Sequence, residues 1–156
     1  MSQKIVFMGT PEFSVPTLEN LINSNHKVLA VYSQPASKAH RGQKIIQSSV
    51  EIFAKEYSLN LRTPRSLGDE EYDYIKNLEP DIVVVIAYGK IIPKKFLGLS
   101  KNGFLNVHAS LLPKWRGAAP IQRSIMNLDN QTGISIMRIV EKLDAGPVML
   151  QDKVEI

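Results

Sequence analysis

The sequence predicts an α/β domain built on a doubly wound, mostly parallel sheet, and three stretches carry that prediction. Residues 4–8, KIVFM, are a continuous apolar run followed by a glycine turn and a helical pattern, the strand–turn–helix opening of such sheets. Residues 81–89, DIVVVIAYG, are β-branched almost throughout, as befits a strand covered by helices on both faces. Residues 104–108, FLNVH, are a third apolar run that ends in polar groups, and the carboxyl ends of strands are where open α/β sheets hold ligands.

The remaining elements follow in order. After Gly9-Thr10-Pro11, the segment FSVPTLENLINS has apolar residues at Phe13, Leu18, Leu21 and Ile22, the spacing of one helix face. That turn has one glycine and no G-x-G-x-x-G, so no dinucleotide site is expected. VLAVY at 28–32 is the second strand, placed for a right-handed crossover. Residues 33–49 are polar and basic and too long for a mere connection; composition alone reads them as a solvated excursion. A helix is expected over about Val50–Tyr57, a short edge strand at LNLR, and an amphipathic helix over Asp69–Leu78 with Tyr72, Ile75 and Leu78 on one side. Beyond FLNVH, the loop SLLPKWRGAAP is punctuated by Pro113, Gly117 and Pro120, and IQRSIM reads as a helix with proline at its entry. TGISIMRI at 132–139 and VMLQDKVEI at the end complete the strands, with the turn EKLDAG between them.

Bulk properties exclude several classes. A length of 156 residues suits one domain with a real core. Hydrophobic and charged shares of 44% and 22% are those of a globular protein. With no cysteine, disulfide frameworks and thiolate metal sites are out, and three scattered histidines do not suggest a metal ligand set. No run approaches a membrane span and no secretory signal is evident, so the expected compartment is the cytoplasm. The net charge of +4 permits nucleic-acid binding without demanding it. Oligomeric state is not legible.

The candidate chemistry sits at Asn106 and His108, two apart and so on one face of a strand. Asp144, in the turn after a neighbouring strand, is expected at the same sheet edge. A carboxylate beside an imidazole fixes its tautomer and orientation, and an asparagine amide can donate to a developing oxyanion. Together they suit acyl transfer to an amine. No serine or cysteine sits in a recognisable nucleophile elbow, so direct transfer is the simpler route. Trp115 is read as packing its loop against the domain.

Residues 106–122, N-V-H-A-S-L-L-P-K-W-R-G-A-A-P-I-Q, resemble the folate-dependent formyltransferases, and W-R-G-A-A-P-I-Q resembles the branch that acts on methionyl-tRNA. F-M-G-T-P-E-F at 7–13, Q-P at 34–35, R-G at 41–42, V-V-V-I-A-Y-G at 83–89 and L-D-A-G at 143–146 agree in collinear order. The resemblance implies a Rossmann-like formyltransferase fold, with 10-formyltetrahydrofolate as co-substrate and initiator methionyl-tRNA as acceptor. It implies a catalytic triplet of Asn106, His108 and Asp144. It also implies folate contacts at Tyr88, Gly89, Ser110, Leu111, Leu112 and Pro113, and tRNA contacts at Lys38, Arg41 and Lys44. Transfer to another amine, a sugar nucleotide or glycinamide ribonucleotide, stays open, as does a catalytically weak binding fragment. Ala36 and Ser37-Lys38-Ala39-His40 depart from the family's usual acidic residue and Pro-Ala-Gly run. Family members are about twice as long, so residues 1–156 are expected to be a catalytic domain incomplete at its C-terminal end and lacking a C-terminal β-barrel. An apolar sheet face left without its helix is expected to be covered by a second molecule.

Overall fold

The computed structural model describes residues 1–39 and 44–156. Seven strands form the main sheet: β1 (Lys4–Gly9), β2 (Lys27–Tyr32), β5 (Leu61–Arg62), β6 (Ile82–Ile86), β7 (Phe104–His108), β8 (Gln131–Arg138) and β9 (Val148–Glu155). Their spatial order is β5-β2-β1-β6-β7-β8-β9. The pairs from β5 to β7 are parallel, whereas β8 pairs antiparallel with β7 and β9 antiparallel with β8. Crossovers use α1 (Val15–Ile22), α2 (Ser49–Glu56) and α3 (Asp69–Leu78); α4 (Pro120–Met126) lies between β7 and β8.

Strand periodicity explains the two-layered core. Successive residues of β1 point to opposite faces. Val6 and Met8 enter one cluster with Tyr32, Ile75, Phe96 and Phe104, while Phe7 enters the other with Leu18, Val31, Val50 and Ala54. Local signals set the helix starts. Ser48 caps α2 by accepting from the Glu51 N–H at 2.9 Å, and three carboxylates in the first turn of α3 offset its dipole. The expected edge strand at LNLR is the two-residue β5.

The region 33–49 differs from a structureless excursion. Within it β3 (Ser37–Ala39) and β4 (Lys44–Ile46) pair antiparallel. Arms of three residues are too short for any alternation to register in the sequence. On the far side of the molecule, β8 and β9 present an uncovered apolar face: Ile134, Leu150 and Val154 are all exposed.

Candidate active site

The carboxyl ends of β1, β6 and β7 open into a cavity of about 820 Å³ whose walls include Tyr88, Gly89, Asn106, His108 and Asp144. Its backbone is unusual. Ala87, Trp115, Ala119 and Asp144 have positive φ, as do Gly89 and Gly117, and such conformations concentrate where structure over-determines them, at functional sites. The end of β6 is tied down from beneath. Ser14 Oγ donates to Ile86 O at 2.8 Å, Thr10 Oγ1 to Tyr88 O at 2.8 Å and Gln34 Nε2 to the same carbonyl at 3.2 Å. Gly89 sits at φ +81°, which disfavours any side chain, and a Cβ there would also displace the Gln34 amide that bonds Tyr88 O.

His108 is buried at the end of β7. Its Nε2 lies 2.9 Å from Trp115 O. A carbonyl only accepts, so that bond assigns the hydrogen to Nε2 and leaves Nδ1 facing Asp144. Asp144 Oδ2 is 3.8 Å from Nδ1, too far for a hydrogen bond but close enough to pair with the ring once it is protonated. The same oxygen accepts the Gly117 N–H at 2.8 Å. Asp144 reaches this place by a different path from the one expected. Because β8 is antiparallel, its C-terminal end lies beside Phe104, with Ile139 N–H donating to Phe104 O at 2.8 Å. The following turn therefore folds back over the sheet. Its Gly146 passes so close to Arg138 that a Cβ would stand 1.8 Å from Arg138 O, which accounts for the glycine in L-D-A-G.

The structure thus brings Asn106, His108, Asp144, Tyr88 and Gly89 to one cavity. It does not bring Ser110, Leu111, Leu112 or Pro113 there: none of the four lines it. Ser110 and Leu112 are buried, and their polar groups are already engaged. Ser110 Oγ donates to Lys114 O at 2.6 Å, and Leu112 N–H donates to Ser135 Oγ at 3.0 Å. Arg41 lies outside the described residues, as do the side chains of Lys38 and Lys44. Trp115 packs as expected, its Nε1 donating to Asp129 Oδ2 at 2.7 Å. The bonds from Lys114, Asn127 and Trp115 hold the Asp129 carboxyl down to about 2. Burial, with Glu71 adding to it, pushes the Tyr88 phenol up to about 12, so it stays protonated at the cavity wall. Among the described residues no three His, Cys, Asp or Glu side chains are grouped to hold a metal ion, and no helix is long and apolar enough to cross a membrane.

A model of the formyl transferase family matches residues 3–156. The chain belongs to that family. It is 61% identical over 150 residues to a methionyl-tRNA formyltransferase of Pelagibacter ubique, covering 95% of this chain and 48% of the relative. A methionyl-tRNA formyltransferase of Coxiella burnetii is 54% identical over 150 residues, covering 96% and 48%. The chain spans about half the length of these relatives. Among solved structures, a phosphoribosylglycinamide formyltransferase from Anaplasma phagocytophilum superposes with a TM-score of 0.82 at 18% identity, covering 100% of this chain and 74% of that one. A formyltetrahydrofolate deformylase from Pseudomonas syringae does so with a TM-score of 0.79 at 20% identity, covering 100% and 52%. At such identities the likeness is one of fold.

Sequence reasoning missed the carbonyl of Trp115, the amide of Gly117 and the side chains of Ser135 and Gln151. Backbone groups leave no trace in residue identity. Ser135 did leave one: it is a polar residue set between Ile134 and Ile136 in an alternating strand.

Proposed function

We propose that this formyl transferase carries the catalytic half of an enzyme that moves a formyl group from 10-formyltetrahydrofolate to the amino group of methionine on initiator tRNA. The observation that carries the reading is the meeting of Asn106, His108 and Asp144 at one cavity wall, with the Asp144 carboxylate 3.8 Å from His108 Nδ1. The identity of 61% to a relative named for this reaction supports the choice of acceptor.

The chemistry follows from the groups. The amine nitrogen attacks the formyl carbon and the carbonyl oxygen gains charge. Asn106, through its amide N–H, stabilises that oxyanion. The attacking nitrogen must lose a proton. His108, with Nε2–H held on the Trp115 carbonyl, has Nδ1 as its accepting atom. The imidazolium so formed is paired with the Asp144 carboxylate. When the tetrahedral intermediate collapses, the bond from carbon to the folate nitrogen breaks and that nitrogen takes the proton from the His108 imidazolium, which returns the ring to its neutral form. Gly117 N–H, by bonding Asp144, keeps the carboxylate turned toward the ring. The formyl donor is assigned to the wall made by Tyr88 and Gly89 rather than to Ser110–Pro113. Lys38, Arg41 and Lys44 are assigned to tRNA phosphates, contacts that add affinity and salt dependence without reading sequence.

The test is an acceptor comparison in the complete protein with 10-formyltetrahydrofolate as donor. Formylation of methionyl-tRNA well above that of glycinamide ribonucleotide or an amino-sugar nucleotide is expected. Preference for either small amine would refute the assignment.

A further inference from the structure

The loop that runs from His108 to Gly117 has no secondary structure of its own, yet it must deliver Trp115 O to one side of the His108 ring and Gly117 N–H to Asp144. Its near end is held by two side chains from the antiparallel strands. Ser135 is fully buried in β8 and pairs in register with His108. Its hydroxyl donates to Ser110 O at 2.6 Å and accepts from Leu112 N–H at 3.0 Å and from Gln151 Nε2 at 2.8 Å. Gln151, opposite Ser135 on β9, also donates to Leu112 O at 3.0 Å. The two side chains therefore replace, for residues 110–112, the backbone ladder that stops at His108. A hydroxyl is the small group that can donate and accept at once, and it satisfies both Ser110 O and Leu112 N–H.

We propose that Ser135 and Gln151 are positioning residues for His108: by fixing the 110–112 backbone they fix Trp115 O, and through it the tautomer in which His108 presents Nδ1 to the reacting amine. This rests on the reading of His108 as the proton acceptor. Neither residue touches the cavity, so neither contacts substrate; their effect is carried by the loop. Gln151 links the clamp to the outermost strand, so the order of β9 bears on the reactivity of a ring two strands away.

The experiment uses Ser135→Ala, Ser135→Thr and Gln151→Leu in the complete protein. Displacing a reacting group by about 1 Å costs on the order of 10²-fold. Ser135→Ala is expected to lower kcat by about 10- to 10²-fold, with KM for the formyl donor within about twofold. Ser135→Thr, which keeps the hydroxyl, restores most of it, and Gln151→Leu gives a smaller loss of the same kind. The ¹⁵N chemical shifts of His108 supply the second readout: Nε2–H in the native protein, a mixture of tautomers in Ser135→Ala. Folded Ser135→Ala with native kcat, or with lowered kcat but unchanged His108 shifts, overturns the proposal. If Ser135→Ala fails to fold, Gln151→Leu decides by the same two readouts. Should His108→Asn retain full formyl transfer, the reading of the site falls, while the shifts still report whether the clamp sets the ring.

Discussion

The two sides of the sheet are held together by different physics. From β5 to β6 the strands are parallel and Val6, Phe7, Met8, Val31 and Val83 are wholly buried, so apolar burial and dispersion carry the stability. From β7 to β9 the sheet is antiparallel, β9 is exposed along its length, and the loops around the cavity are fixed by side chains bonding to backbone. On the first side the left-handed residues Ser58, Glu79 and Ala87 sit only in turns at the ends of helices and strands. The second holds the left-handed Trp115 and Gly117 in place by hydrogen bonds that they donate to Asp129 and Asp144, and anchors the start of their loop on Ser135. A polar scaffold of that sort costs stability but sets atoms at chosen positions, which is what a reacting site needs.

Mutations that act on one side only sharpen this contrast. The largest effect is expected from Phe7→Ala. It empties a fully buried site and costs about 3–5 kcal/mol in denaturant unfolding, while any folded fraction keeps the geometry of the cavity. Second is Glu71→Gln. Burial pushes the Glu71 carboxyl up, but hydrogen bonds from Arg62 and Tyr32 outweigh it and hold it low. Arg62 Nε and Nη2 and the Tyr32 hydroxyl all reach that carboxylate at 2.7 Å. Breaking such a pair costs about 3 kcal/mol, toward the lower end for buried pairs because Arg62 is partly exposed. Equal stability of Glu71→Gln and native protein would contradict the assignment.

Trp115→Phe belongs to the other side and reverses the pattern. It removes the indole bond to Asp129 and lowers stability by only about 1 kcal/mol, yet it loosens the loop whose carbonyl meets His108, so kcat falls more than stability does. The smallest effect is one of pH. The Asp129 carboxyl is lowered from 3.8 to about 2. Its contribution is therefore complete above about pH 4 and lost as pH falls through about 2. Comparing acid unfolding of native protein with Asp129→Asn checks this: the native curve should carry the extra slope in that window, and matching slopes would remove Asp129 from the account.

How far the sequence could be read follows the same division. KIVFM, VLAVY and DIVVVI announce parallel buried strands because burial on both faces leaves unbroken apolar runs. Asn106 and His108 were legible because strand period alone puts them on one face. Asp144 was named through its L-D-A-G context, but its route was not foreseen, since the direction of β8 depends on pairing and not on residue type. The SLLP stretch carries folate contacts by resemblance, yet none of its residues lines the cavity, because motif identity does not say which way a loop faces. Ser110 and Leu112 turn inward to Ser135. The antiparallel pair of β3 and β4 was hidden by its three-residue strands.

In the proposed chemistry Asn106, His108 and Asp144 act as one unit, and single-turnover formyl transfer by Asn106→Ala, His108→Ala, Asp144→Ala and the triple variant in the complete protein tests this most directly. Removing one oxyanion donor costs about 10²–10³ in rate, and groups that act together are strongly non-additive. The predicted result is that each single variant loses at least about 10²-fold, that the triple variant is scarcely worse than the poorest single one, and that donor binding persists throughout. Losses that multiply across the three positions, or a His108→Ala variant that transfers formyl at the native rate, would contradict it.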